Sequence, residues 1–208
     1  MTQLYVLAEP HGFLSIMGGP IAQQELMELF MVEHPVGGSR IALFFSRIDA
    51  EMCRQYLNQQ TYDGYRNQYE CRLISDPAVQ EILRGPINYN MACITGFATI
   101  STGRLVLSEK LYSLCQVLLH AGDAAWMRGL APKPAQSFLE STQAYFQMKG
   151  AGSHLADCLA ADSWDAKLVQ QQAQLAIARI GFSATGDETG FAVYSPTRKA
   201  WSHLPGDF

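Results

Sequence analysis

Arg40-Ile41-Ala42-Leu43-Phe44-Phe45, followed directly by Ser46-Arg47-Ile48-Asp49, is the stretch that decides the fold. Its first six residues form a nearly continuous apolar run, the pattern of a strand inside a sheet and covered on both faces. Ser46 to Asp49 then has the form of a capping box. The serine oxygen accepts from the backbone N–H three residues on, and the carboxylate reaches back to the serine N–H. A helix is therefore predicted to start at once, with Ile48, Met52, Cys53, Tyr56 and Leu57 as its buried stripe and Glu51, Arg54 and Gln55 outside.

Working outward toward the N-terminus, Gln3 to Ala8 is β-rich, and Pro10-His11-Gly12 turns it into a second strand, Phe13 to Met17. Between Ile21 and Glu33, Ala22, Leu26, Leu29 and Phe30 fall at helical spacing, which predicts an amphipathic helix stopped by Pro35. On the other side, the tyrosine-rich stretch around Tyr62, Tyr65 and Tyr69 reads as a loop or a partly helical excursion. Glu70 to Ser75 reads as a strand. Asp76-Pro77 opens a short helix, with the aspartate as cap and proline where its missing N–H costs nothing. Met91 to Ile100 is an apolar, β-branched strand with a bulge expected at Gly96.

The second half reads as helical. Ser108 caps a run in which Leu111, Leu114, Cys115 and Leu118 share a face; that run is apolar all round, as a central helix would be. Ala135 to Lys149 forms the next helix, with Phe138, Thr142, Tyr145 and Phe146 inward. Ser163 caps the last, in which Val169, Ala173, Ala176 and Ile180 make the stripe and Gly181 the stop. The tail closes as a hairpin around Ser195-Pro196-Thr197-Arg198. The expected architecture is a single α+β domain over 1–208, sheet-rich over 1–104 and helix-rich over 105–181, with the terminal hairpin at 190–203. Its mixed sheet comes mainly from the N-terminal half and is packed by the helices of the C-terminal half.

Composition narrows the function classes. With 208 residues, 48% of them apolar and 16% charged, the chain has material for an ordered core. A net charge of −4 without a basic run argues against a nucleic-acid partner, since phosphate binding relies on clustered Lys and Arg. The N-terminal residues lack a secretory pattern and no segment approaches the ~20 apolar residues of a span, so a cytoplasmic protein without membrane contact is expected. The 5 cysteines are irregularly spaced among apolar neighbours, the setting of reduced core thiols.

Candidate chemistry is sparse. His154-Leu155-Ala156-Asp157-Cys158 places His, Asp and Cys at i, i+3 and i+4 on one helical face, and His120 and Asp123 repeat the shorter offset. A His at a glycine-broken helix start, followed by a cap-region Asp, is ordinary surface chemistry, and neither a metal nor a cofactor is expected. The pairs Gly18-Gly19 and Gly37-Gly38, and Gly150-Ala151-Gly152, lack phosphate-loop context and read as turns. For a catalytic thiol, Cys158 with His154 is the candidate pair; Glu25, Glu28, Asp162 and Asp165 read as solvated helix residues. No catalytic residue is assigned.

The feature left over is a surface. Tyr62, Tyr65, Arg66, Tyr69 and, further on, Tyr89 put amphipathic rings beside Arg, Asn and Gln, the residue types that anchor protein interfaces. The alternative is that these rings pack over a sheet edge. The reading that follows is a protein-binding protein of adaptor, inhibitor or toxin-neutralising immunity type, needing no cofactor. Its competitor is an enzyme or small-ligand binder whose site is assembled from distant Cys, His and acidic residues. Self-association through the helical half, giving a homo-oligomer, is a third expectation.

Overall fold

The computed structural model describes residues 3–13, 25–33, 39–59, 61–62, 65–84, 91–108, 111–112, 114–118, 136–183 and 187–205. The first half carries β1 (Tyr5–Phe13), β2 (Glu25–Leu29), β3 (Met31–Glu33), β4 (Ser39–Phe44), helix α1 (Arg47–Leu57), β5 (Thr61–Tyr62), β6 (Tyr65–Arg66), β7 (Glu70–Leu73), α2 (Pro77–Leu83) and β8 (Met91–Thr99). There follow β9 (Leu105–Ser108), β10 (Leu111–Tyr112) and β11 (Leu114–Leu118). The helices α3 (Gln136–Met148), α4 (His154–Ala161) and α5 (Ala166–Ile180) come next, then β12 (Phe182–Ser183), β13 (Gly190–Ser195) and β14 (Ala200–Pro205). The class is α+β, with a mixed sheet and a C-terminal hairpin, as expected.

β4 is the central strand its composition required. It runs parallel to β8, with Ile41 opposite Met91 and Phe44 opposite Ile94. Its side chains alternate between two cores: Ala42 and Phe44 face one, Ile41 and Leu43 the other. α1 and α5 cover the first face through Ile48, Met52, Val169 and Ala173. α2 and α3 cover the second through Val79, Leu83 and Phe146. α4 touches both cores, with Leu155 in one and Ala161 in the other.

β8, buried along its whole length, organises the sheet. β4 pairs with Met91 to Ile94 and β13 with Phe97 to Thr99, while β11 spans Ala92 to Phe97. A strand has two flanks, so β11 must occupy one and β4 and β13 share the other. The expected bulge is present. Cys115 pairs with Gly96 and Gln116 with Ile94, leaving Thr95 as the extra residue. Gly96 has φ +152°, and a Cβ there would lie 2.7 Å from the Ala192 carbonyl oxygen. Glycine is what lets β13 approach at that point.

Two predicted helices are strands. Residues 25–33 form β2 and β3, paired with β1 and β4 on either side of Phe30, whose N–H donates to the Leu7 carbonyl and whose carbonyl accepts from Ala42 N–H. Residues 14–24, the rest of the predicted N-terminal strand and helix start, lie outside the described residues. The run after Ser108 forms β10 and β11, bound into the sheet through β9 and β8. In both segments the apolar spacing fits a helix, but pairing with β1 and β4 in the first, and with β9 and β8 in the second, takes them as strands. Three smaller corrections follow. The tyrosine stretch contains the hairpin β5–β6, with Tyr62 opposite Tyr65. Asp165 caps α5 by accepting from Leu168 N–H at 2.8 Å, and Ser163 instead donates back to the Ala160 carbonyl. Glu51, placed outside by its helical position, is buried: Arg54 closes over it with two hydrogen bonds of 2.6 and 2.7 Å.

Candidate functional site

Two places carry the polar side chains singled out from the sequence. The first is the start of α4. His154 and Cys158 sit one turn apart on the same helical face, and the Cys158 sulfur lies 3.5 Å from Nε2 and 3.9 Å from Nδ1 of the imidazole. The helix turns this face inward. The ring packs edge-on against Phe146 at 4.7 Å, and both residues are sealed, with relative exposures of 2% for His154 and 1% for Cys158.

Asp157 goes the other way. It accepts 2.7 Å hydrogen bonds from Ser195 Oγ and Thr197 Oγ1, while Arg198 lies 3.7 Å from it, so it fastens the terminal hairpin's turn to α4. The predicted His, Asp and Cys face is thus split. Two members meet, and the third serves the fold. His120 and Asp123 lie outside the described residues. Among the described residues, no three His, Cys, Asp or Glu side chains converge as metal ligands.

Burial sets the charge state of the pair. It pulls the His154 imidazole down to about 4, with the Asp157 charge opposing and Arg198 assisting. It pushes the Cys158 thiol well up; the Asp49 carboxyl adds to this, a Ser46 hydrogen bond opposes it, and Asp162 and Asp157 add further. At neutral pH both partners are uncharged. A thiol nucleophile needs the thiolate, held by an imidazolium or another positive field, and this pair has neither. Cys53 and Cys93 are likewise buried free thiols, and Cys71 is half-buried.

Asp49 completes this interior cluster and was missed in the sequence, where it was read as a capping carboxylate. Its backbone N–H does donate to Ser46 Oγ at 3.1 Å, as the cap requires. Its carboxyl, however, is 3% exposed, and Oδ1 has no hydrogen-bond partner among the described residues. Burial pushes this acid up to about 8, against a hydrogen bond from Ser46 that lowers it. At the far end of α4, Asp162 accepts from Tyr5 Oη at 2.7 Å and is also raised, first by burial.

The second place is the tyrosine surface. Tyr69 is half-buried, edge-on to Phe30 at 5.8 Å. Its backbone is held from both sides by Asn58, whose Oδ1 accepts from Tyr69 N–H at 2.8 Å while Nδ2 donates to the Tyr69 carbonyl at 2.9 Å. Next to it, Gln68 N–H donates to Glu9 at 2.8 Å, and Glu9 stands directly opposite Glu28 across β1 and β2. Burial, then the charges of Glu9 and Glu28, push the Tyr69 phenol up to about 12. Glu25 and Glu28 are therefore strand residues, which corrects the helical placement. Arg66 is exposed and its Nε donates to the Asn58 carbonyl at 2.7 Å. Asn58 thus joins Arg66 to Tyr69, and the backbones of Tyr62 and Tyr65 extend the same segment as the β5–β6 hairpin. Tyr89 lies outside the described residues.

Compared with family models, curated proteins and solved structures, the chain matches none.

Proposed function

We propose that this chain is a protein-binding protein, an adaptor, inhibitor or toxin-neutralising immunity protein of the cytoplasm, which acts by covering a partner's surface. The observation that carries the reading is the setting of Tyr69. An amphipathic ring is backed by Phe30, its backbone is pinned by Asn58, and the charges of Glu9 and Glu28 act on its phenol. A ring already immobilised loses little entropy on binding, which is what makes tyrosine an effective anchor. The acidic rim formed by Glu9 and Glu28 favours a partner presenting Lys or Arg.

The test uses a tagged copy to retrieve a stoichiometric partner from native cells. Arg66→Ala with Glu9→Gln is the informative variant, because glutamine keeps an acceptor for Gln68 N–H and the bond given up, from Arg66 Nε to the Asn58 carbonyl, is an exposed one. Capture is expected to fall at least tenfold with an unchanged melting temperature, and to weaken as salt is raised. Unchanged capture removes this surface from the reading. The competing reading, an enzyme or ligand binder using Cys158 and His154, needs the pair to be reached and ionised. It predicts stabilisation by a small ligand that is lost in Cys158→Ala.

A further inference from the structure

We draw no further inference here: the strongest candidate, the outer edge of β14, which among the described residues pairs with β13 alone and follows the exposed Arg198 and Lys199, carries none because nothing in the structure shows what covers it.

Discussion

The Cys158 sulfur and the His154 Nε2 atom lie 3.5 Å apart inside the protein, and both groups are neutral. The same two residues in an open cleft would suggest a nucleophile and its base. Here the environment, rather than the spacing, fixes what they are. Under native conditions at pH 6.5, Cys158 is expected to react with iodoacetamide at least about 100-fold more slowly than a cysteine in an unstructured peptide, since reaction must wait for local opening. A rate within tenfold of the peptide's would mean that the thiol is accessible and the pair belongs to a working site.

How much of this was legible in the sequence depends on whether the governing forces were local. The Ser46 cap, the Asp76-Pro77 helix start and the Gly96 bulge are each written in a few adjacent residues, and each forms where those residues place it. Leu26, Leu29 and Phe30 misled because a spacing of three and four suits a helix, whereas the sheet sorts the neighbouring residues by twos. Met27 and Leu29 go to one core, and Phe30 and Val32 to the other. With apolar residues sent to both faces, no regular alternation of polar and apolar residues reveals that period. Glu51 and Asp49 were misplaced for a similar reason: a helical wheel knows nothing of α5 and α4, which close over α1 from elsewhere in the chain. His154 and Cys158 could be paired from their i, i+4 spacing, but that they face inward could not.

Asp157 is where α4 holds the hairpin. It accepts two short hydrogen bonds from hydroxyls, one of them on Ser195, which is 1% exposed. Asp157→Ala is expected to cost about 2–4 kcal/mol in urea unfolding, since two short hydrogen bonds to the carboxylate are lost while Ser195 Oγ keeps only its longer contacts with Thr197 and Arg198. Asp157→Asn, keeping one acceptor oxygen, should lose roughly half as much. Arg198 is more than half exposed, so its ion pair is given no share. Equal losses in the two variants would show that charge, and not acceptor geometry, holds the turn.

Gly96 and Gly103 both have positive φ, but their surroundings differ. At Gly96 an added methyl meets the Ala192 carbonyl at 2.7 Å, in a ladder that has no room to move. At Gly103 it meets the His203 ring at 3.1 Å, on an exposed side chain that can turn aside. Gly96→Ala is expected to cost about 3 kcal/mol or more, combining strain and overpacking, while Gly103→Ala should cost roughly 1–2 kcal/mol from conformation alone. The order of the two unfolding midpoints checks this.

Asp49 and His154 also give the protein a distinctive pH profile, because burial moves an acid and a base in opposite senses. The Asp49 acid, raised from 3.8 to about 8, keeps its proton in the folded state where the unfolded chain has lost it; its contribution is full below 3.8 and disappears as pH rises through 8. The His154 imidazole, lowered from 6.5 to about 4, stays bare in the folded state where the unfolded chain binds a proton; its contribution is full above 6.5 and disappears as pH falls through 4. Each slope amounts to about 1.4 kcal/mol per pH unit. Between pH 5 and 6 the two therefore oppose, and above 6.5 only Asp49 of the pair still acts, so the native protein should lose stability from neutrality to pH 8. In Asp49→Asn the acid side is unmasked, and stability should fall as pH drops from 6 to 5. In His154→Leu the sign reverses, and stability should rise over the same interval. Asp162, raised like Asp49, contributes equally to all three proteins and cancels from their differences. Urea unfolding of the three at pH 5, 6 and 8 measures the slopes; parallel profiles would show that neither group carries the charge state that its burial imposes.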